Sequence, residues 1–203
     1  MKGDILLKKL SEIKIIEDSR NREGRHDVKN KYFQDNGIMV LRSKLPFGDY
    51  ALMDNMSISI DTKKDMLECE MDLTKQHVRF RNEIINANNF GIGLVILIEE
   101  EIQYNSLDDV ASRYKIPKWK STTYEMINGV KHVKHRKGQP MGNFNVETII
   151  KAMKTMQEKY AVIFAFTTKE KCGEAIIDIL VNKRDILDNY FKKKLKELKE
   201  NNG

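Results

Sequence analysis

An aspartate and a lysine two positions apart, Asp61 and Lys63, close the alternating stretch "SISIDTK" at residues 57–63. Because side chains alternate along a β-strand, both are expected on one face of the strand while Thr62 points away. A carboxylate can bind a cation, and an ammonium group beside it can stabilise an anionic group such as a phosphate. The pair therefore has the chemistry of a cation-assisted reaction at an anion.

Two more aspartates stand next to apolar strands: Asp18 ends "IKIIED", and Asp49 lies in "FGDY". A carboxylate at a strand end is held on rigid backbone but emerges where a ligand can reach it. If these groups converge with Asp61, they form a hard-oxygen site suited to Mg²⁺ or Mn²⁺. Such a metal polarises a phosphoryl oxygen and helps to generate hydroxide from bound water.

Lys63 would then orient the attacking water and stabilise the charge that develops on the phosphate. If burial and the metal lower its pKa, it could instead act as a general base. Ordinary structural interpretations exist as well, since Asp-x-Lys pairs are common on solvated strands, Asp18 could begin a turn, and Asp49 could belong to a bend. The joint order of these motifs along the chain, rather than any one of them, favours a catalytic site.

The elements that must position these residues alternate along the chain. The patterns predict strands at 12–18, 38–44, 48–54, 56–62, 91–100 and 161–168, with the third and fourth joined as a hairpin. They predict helices at 22–37, 74–88, 105–115, 145–160, 169–185 and 186–203, with Asn145 as the cap of the fourth. Residues 115–143 read as a long loop or a small hairpin. This alternation predicts an α/β sheet with helices on its faces.

The ordered motifs resemble the PD-(D/E)xK nuclease superfamily, and their wording resembles its XPF-type branch of structure-selective DNA endonuclease domains. A "VDSRE"-like phrase of that branch is similar to "IEDSRNRE" at 16–23, its "LPxGDY" phrase to "LPFGDY" at 45–50, and its "ERK" phrase to "IDTK" at 60–63. The resemblance covers about residues 12–183, with specific motif matches in 17–63. It implies an α/β, restriction-endonuclease-like fold with a mixed central sheet flanked by helices.

Carried over by position, the resemblance implies that Asp49 and Asp61 bind Mg²⁺ or Mn²⁺ and that Lys63 is catalytic. Asp18 would be an additional acidic residue of the catalytic and metal site. Arg20 occupies the position of the motif arginine and is expected to contact DNA.

Further along, "HVRFRNEI" resembles an arginine-containing region of the family, so Arg79 and Arg81 are also candidates for DNA contact. The alternative for Arg20, Arg79 and Arg81 is that they are surface arginines flanking or decorating helices.

The sequence departs from the family pattern at three positions. Asp61 stands where the family has glutamate, which keeps the carboxylate but shortens its reach. Thr62 replaces the motif arginine and so removes a bidentate partner for phosphate or carboxylate. Leu67 occupies the place of an aspartate expected four residues after the motif lysine. These changes bear on cleavage efficiency and substrate choice more than on the fold.

The resemblance assigns residues 1–183 to a nuclease domain, with 113–142 as a basic insertion and 184–203 as a basic C-terminal helix. No tandem helix-hairpin-helix domain is expected, although many family members have one. Cations and aromatic rings in the insertion could hold phosphates and stack on unpaired bases. The candidates are Lys118, Trp119, Lys120, Lys134, Arg136 and Lys137. The alternative is a solvated loop.

Composition limits the remaining classes. The 203 residues carry a net charge of +6, which fits an anionic partner. No apolar run reaches the length of a membrane span and no signal peptide is evident, so we expect a cytoplasmic protein without a membrane partner. Cys69 and Cys172 lack metal-ligand spacing and are expected to be reduced thiols.

The leading hypothesis is a metal-dependent DNA endonuclease that hydrolyses phosphodiester bonds, with selectivity for flap, fork or junction DNA. A homodimer or a protein partner could supply that selectivity. One alternative is a catalytically weak or inactive DNA-binding module of the same fold. Another is a restriction-type nuclease that cleaves intact duplex at fixed positions.

Overall fold

A six-stranded mixed sheet forms the centre of the computed structural model, which describes residues 10–21, 24, 26–141 and 144–201. The strands along the chain are β1 (Lys14–Asp18), β2 (Met39–Ser43), β3 (Tyr50–Leu52), β4 (Ile58–Lys63), β5 (Gly93–Glu100), β6 (Thr123–Ile127), β7 (Val130–His135) and β8 (Val162–Thr168). Six of them form the sheet in the order β2-β1-β3-β4-β5-β8, while β6 and β7 form a separate hairpin. The predicted α/β class with a mixed central sheet is confirmed.

Parallel and antiparallel pairs divide the sheet. The strand pairs β1–β2, β4–β5 and β5–β8 are parallel, whereas β3 is antiparallel to both β1 and β4. The predicted hairpin of the third and fourth strands is therefore present. It places the start of β3 opposite the end of β4, so that a residue just before Tyr50 lies close to the residues that follow Ile60.

Helices cover both faces of this sheet. They are α1 (Asp27–Asp35), α2 (Met66–Leu73), α3 (His77–Asn89), α4 (Leu107–Arg113), α5 (Val146–Lys159), α6 (Cys172–Ile177) and α7 (Arg184–Asn201). A π-helical turn, Asp178–Asn182, continues α6, and short 3-10 turns occupy Leu10–Glu12 and Lys169–Lys171. Asn145 caps α5 as predicted, accepting a hydrogen bond from the Thr148 amide at 3.0 Å.

Strand β5 has a core on each side, as expected for a central strand with both faces covered. Ile96 packs into a cluster with Phe80 of α3 and Met153 of α5. Its neighbour Leu97 points the other way, into a cluster with Phe33 of α1 and residues of α6 and α7. The candidate chemistry of β4 lies on the side of the sheet that α2 and α3 cover.

Helix α2 was not predicted. Its N-terminus is capped by Asp65, whose side chain accepts from the Glu68 amide at 2.7 Å, while Glu68 Oε2 accepts from the Lys64 amide at 2.8 Å. This reciprocal arrangement follows an Asp-x-x-Glu spacing that resembles a capping box, so the sequence did contain a signal for the helix. The helix predicted for 22–37 begins only at Asp27; residues 22, 23 and 25 lie outside the described part of the chain.

The basic insertion contains the small hairpin that was one of the two expectations for it. Its turn is Asn128–Gly129, with φ of 51° and 79°. Positive φ at both positions is the geometry of the two-residue turn that suits the twist of a β-hairpin, and Asn-Gly is its commonest sequence.

Cys69 and Cys172 are buried free thiols, as predicted. Within the described residues, no helix combines the length and the apolarity that crossing a bilayer requires.

Candidate active site

The end of β4 places Asp61 and Lys63 side by side, with Lys63 Nζ 2.8 Å from Asp61 Oδ2. Asp61 is half-buried and Lys63 is buried. The Lys63 ammonium also lies 5.6 Å from the centre of the Phe80 ring on α3, which gives it an apolar wall. The strand alternation that suggested a shared face thus brings an ion pair into the space between the sheet and α3.

A second carboxylate also holds the Lys63 ammonium. Asp72 of α2 is buried, and its Oδ2 lies 2.8 Å from Lys63 Nζ. Its other oxygen, Oδ1, accepts from Arg79 Nη2 at 2.9 Å, and Arg79 Nη1 lies 3.8 Å from Glu83 Oε2. Asp72 and Glu83 were both missed by the sequence reasoning. Asp72 was missed because it depends on the unpredicted helix α2.

The two carboxylates fix the protonation state of Lys63. Burial alone would lower the pKa of Lys63, but the charges and hydrogen bonds of Asp61 and Asp72 outweigh burial and raise the pKa above its ordinary value. Lys63 is therefore an ammonium group at neutral pH. This direction does not favour the alternative role as a general base, which requires a lowered pKa.

The pKa of Asp61 is raised, which disfavours its charged form. Burial raises the pKa of Asp61 to about 7, the charges of Asp49 and Glu83 add to the increase, and Lys63 opposes it. Asp49 is thus close enough for its charge to act on Asp61. The carboxylates of this network, Asp49, Asp61, Asp72 and Glu83, outnumber its cations, Lys63 and Arg79. The site therefore has a deficit of positive charge.

Asp49 is held by Thr62, the residue at the position of the family's arginine. Its Oδ2 accepts from the Thr62 amide at 2.8 Å and from the Thr62 hydroxyl at 2.6 Å. Alternation along β4 predicted that Thr62 points away from the site. That expectation was incomplete, because Asp49 approaches β4 from the turn before β3 and reaches the hydroxyl.

The backbone around Asp49 is equally restrained. The Asp49 amide donates to Ile60 O at 2.7 Å, and its carbonyl accepts from the Asp18 amide at 2.8 Å. Gly48 has φ of 68°, and a Cβ there would lie 2.6 Å from Ser59 Oγ and 2.8 Å from Ile60 O. Glycine is thus required at position 48 both by backbone conformation and by the close approach of β4.

Asp18 forms an ion pair with Arg20. Its Oδ1 accepts from the Arg20 amide at 3.0 Å, and its Oδ2 accepts from Arg20 Nε at 2.7 Å and also from Nη2. Burial would raise the pKa of Asp18, but these hydrogen bonds outweigh burial and lower it. Arg20 Nη2 also donates to Leu45 O at 2.9 Å, which ties the pair to the chain that leads into Asp49.

The structure brings Asp49, Asp61 and Lys63 together and leaves Asp18 in an ion pair of its own. Among the described residues, no group of three or more His, Cys, Asp or Glu side chains is placed so that it could hold a metal ion. Mg²⁺ needs fewer, since it is usually bound through one or two carboxylates together with waters and substrate phosphate. The contacts of Asp49 with Thr62 and of Asp61 with Lys63 are both made through Oδ2, so they leave Oδ1 of each carboxylate for a cation. The donor set therefore fits a hard divalent cation.

The predicted DNA-contacting residues fall into two groups. Arg20 and Arg79 are largely exposed but already form ion pairs at the site, while Arg81 lines an apolar cavity of about 370 Å³ between α3 and α5. The other group lies on and beside the hairpin of β6 and β7. It comprises Lys118, Lys120, Lys134, Arg136 and Lys137, all exposed, and Trp119, which is half-buried.

An open crevice lies beside the second group, and Lys118 and Lys120 of that group line it. It has a volume of about 840 Å³ and lies at the carboxyl ends of β4, β5 and β8, the end of an α/β sheet at which ligands commonly bind. Lys64, the residue after Lys63, lines one end, and Lys118 and Lys120 line it at the base of the hairpin. The crevice gives an extended ligand a path from the end of β4 to the insertion.

Comparison with known proteins identifies the fold. No protein-family model and no curated protein matches the sequence. Two solved structures of XPF from Aeropyrum pernix are similar. The first is 14% identical with a TM-score of 0.49 and covers 92% of this chain and 69% of that chain. The second, a complex with DNA, is 13% identical with a TM-score of 0.51 and covers 86% of this chain and 66% of that chain.

The chain therefore has an XPF-like fold, which confirms the fold implied by the sequence motifs. At this level of identity the similarity defines the fold alone. The chain spans about two thirds of the length of the XPF chains it matches, so their activity and partners enter only as proposals.

Proposed function

We propose that the protein is a metal-dependent DNA endonuclease that hydrolyses phosphodiester bonds. The observation that carries this proposal is the placement of Lys63 beside Asp61 on β4, with Asp49 close enough to raise the pKa of Asp61 further. The XPF-like fold supports it, and one of the similar structures is a complex with DNA. DNA is accordingly the proposed substrate.

Asp49 and Asp61 would hold Mg²⁺ or Mn²⁺ through their carboxylate oxygens. When bound, the cation would offset the excess negative charge of the site, polarise a phosphoryl oxygen and activate water. Thr62 keeps the Asp49 carboxylate in place through two hydrogen bonds. In this proposal Asp18 has no metal-binding role; it orients Arg20 toward the DNA backbone, because both of its oxygens already accept from Arg20.

Lys63 supplies a fixed positive charge. Because Asp61 and Asp72 keep it protonated, it can stabilise the negative charge that develops on the phosphate, and it does so without having to reorganise. Asp72 acts as a positioning residue, since it holds the ammonium group together with Asp61. Arg79 extends the same network toward solvent, where it could meet a neighbouring phosphate.

We further propose selectivity for flap, fork or junction DNA, and a cytoplasmic location consistent with the two buried free thiols. A second copy of the chain or a protein partner would add further contacts to the DNA. Exposed cations of the insertion, with the crevice that leads to them, would hold the DNA on one side of the site.

The test is a cleavage assay with Mg²⁺ or Mn²⁺ on flap, splayed-arm, four-way-junction, duplex and single-stranded DNA. We expect branched DNA to be cut, and we expect Asp61→Asn and Lys63→Met to lose at least about 100-fold in rate. Asp35→Asn and Lys31→Met remove an exposed ion pair of α1 and serve as matched controls. Cleavage that is equal in Asp61→Asn and wild type, or absent from both, would overturn the proposal.

One observation favours the second candidate, a DNA-binding module without catalysis. Lys63 is held between two carboxylates, so its charge is already neutralised before a phosphate arrives. Calorimetric titration with Mn²⁺ separates the candidates. The endonuclease predicts a site that Asp49→Asn weakens, whereas the module predicts DNA binding with no such metal site.

A further inference from the structure

The hairpin of β6 and β7 stands apart from the central sheet on a paired base. The Trp119 amide donates to Gln139 O at 2.9 Å, the Gly138 amide to Trp119 O at 2.7 Å, and the Met141 amide to Pro117 O at 2.8 Å. The chain that enters the hairpin is thus hydrogen-bonded to the chain that leaves it. The insertion is thus a defined hairpin on a paired base rather than a free loop.

The hairpin and its base have a net positive charge equal to that of the whole protein. Residues 115–137 contain seven Lys and Arg side chains and one acidic side chain, Glu125, which is a difference equal to the net charge of +6 of the complete chain. The rest of the chain therefore has equal numbers of acidic and basic residues. A polyanion is the partner that this charge distribution favours.

One face of the hairpin combines cations with exposed apolar and aromatic groups. Cross-strand pairing places Tyr124 opposite Val133 and Met126 opposite Lys131 on the same face. The exposed fractions are 50% for Tyr124, 66% for Met126 and 47% for Val133. The Lys131 ammonium lies 4.1 Å from the centre of the Tyr124 ring. We call these four residues the Tyr124 face.

Phosphate contacts alone do not account for the Tyr124 face. A surface that only tracks a duplex backbone needs cations, whereas Tyr124, Met126 and Val133 offer flat and apolar contact area. Bases present such area to a protein surface when they are unpaired, because in duplex DNA their faces are stacked on each other. Stacking of unpaired bases on aromatic side chains, next to cations that hold the phosphates, is the general chemistry of single-strand binding.

Trp119 is less available for this role than the sequence suggested. Its ring is half-buried and stacks on His135, with the ring centres 3.9 Å apart and the planes at 15°. One face of the indole is thus already covered by a ring of its own hairpin. Lys131 likewise lies over one face of the Tyr124 ring, but half of the Tyr124 surface remains exposed.

We propose that the Tyr124 face binds unpaired nucleotides of the DNA substrate, and that bases stack on Tyr124 while Lys131 holds the adjoining phosphate. This inference rests on the proposed function, in which DNA is the substrate, and it assigns the single-stranded arm of a branched molecule to the hairpin. The crevice lined by Lys64, the residue after Lys63, and by Lys118 and Lys120 beside the hairpin is the route we assign to this arm.

The experiment measures binding without cleavage. Fluorescence anisotropy of a labelled oligothymidylate and of a labelled duplex of equal length is followed in EDTA. Tyr124→Ala and Lys131→Gln should each weaken single-strand binding about 5-fold or more and leave duplex affinity within about 2-fold. Tyr190→Ala, which removes a tyrosine of α7 that is 40% exposed, is the matched control and should bind like wild type.

Two further readings keep the outcome decisive. Trp119 is the one tryptophan of the chain, so its fluorescence reports whether the hairpin stays folded in each variant. With a folded hairpin, unchanged single-strand affinity would overturn the inference and leave the face to a protein partner. Equal losses for both DNAs would overturn it in favour of phosphate contact alone. If the wild type binds neither DNA, the proposed function fails as well. If the wild type binds DNA and the hairpin substitutions have no effect, only the inference fails and the proposed function stands.

Discussion

Thr62 holds Asp49 by two hydrogen bonds, one from its hydroxyl at 2.6 Å and one from its main-chain amide at 2.8 Å, both to Oδ2. The residue that replaces the family's arginine is therefore a positioning residue for a candidate metal ligand. The sequence alone left open whether threonine at this place signals lost activity. The contact indicates that the site is organised around a shorter side chain.

The first prediction concerns that hydroxyl. Thr62→Val keeps the amide and the shape of the side chain but removes one of the two donors to Asp49. We expect an approximately 10-fold loss in cleavage rate, the effect of roughly 1.4 kcal/mol, and a higher requirement for Mg²⁺. Thr62→Ser, which keeps the hydroxyl, should retain most activity. The account of Thr62 is contradicted if valine and serine at this position behave alike across a Mg²⁺ titration.

A second prediction tests the support of Lys63. Asp72→Asn leaves the buried ammonium with one carboxylate and should lower the free energy of unfolding by roughly 1.5–3 kcal/mol, the range for hydrogen bonds to charged groups. The pKa of Lys63 should also fall. Glu83→Gln removes another partner of Arg79 that is only half-buried and 3.8 Å away, so it should cost less than about 1 kcal/mol. Urea denaturation of both variants checks the difference, and equal losses would show that Asp72 has no special role.

A third prediction follows from the carboxyl group of Asp61. Its pKa is raised from 3.8 to about 7, chiefly by burial, so between these values the folded chain binds more protons at this group than the unfolded chain does. The contribution of Asp61 to the free energy of unfolding must therefore decrease as pH rises from about 4 to about 7, by at most about 4 kcal/mol.

The measurement is a series of urea denaturations between these pH values in EDTA. Wild type minus Asp61→Asn isolates the term, because asparagine does not titrate. A difference that stays constant with pH, or one that grows as pH rises, would refute the assignment of a raised pKa to Asp61.

A fourth prediction addresses how α7 is docked. A Cβ on Gly93, at the start of β5, would lie 2.2 Å from two atoms of the Phe191 ring, which is buried in the core under α7. Gly93→Ala should therefore destabilise the protein by at least about 1–3 kcal/mol through overpacking. Phe191→Leu in the same chain should recover part of the loss. Thermal denaturation of the single and double variants measures this coupling, and strictly additive effects would contradict the contact.

The sequence predicted the sheet and the pair on β4 because these depend on local periodicity. Alternation in "SISIDTK" is enough to place Asp61 and Lys63 on one face, and β5 is apparent as a central strand from its apolar run. The Asn128–Gly129 turn could also have been named as a hairpin turn from sequence, since Asn-Gly is its strongest signal.

The rest of the site depends on packing between distant segments. Asp72 reaches Lys63 only because α2 folds back over β4, and Thr62 meets Asp49 only because the start of β3 lies opposite the end of β4. Likewise, the order of motifs grouped Asp18 with the candidate metal ligands Asp49 and Asp61. Arg20, two residues away, binds the Asp18 carboxylate, and the order of motifs does not reveal whether Asp18 contacts Arg20 or the other aspartates.

The most direct test of the central claim is a crystal of the protein soaked with Mn²⁺ and measured for anomalous scattering. The account predicts one peak between Asp49 and Asp61, roughly 2 Å from an oxygen of each, with Asp18 still paired to Arg20 and Lys63 still between Asp61 and Asp72. An anomalous peak elsewhere, or none at saturating Mn²⁺, would contradict the claim that these two aspartates form the metal site of a nuclease.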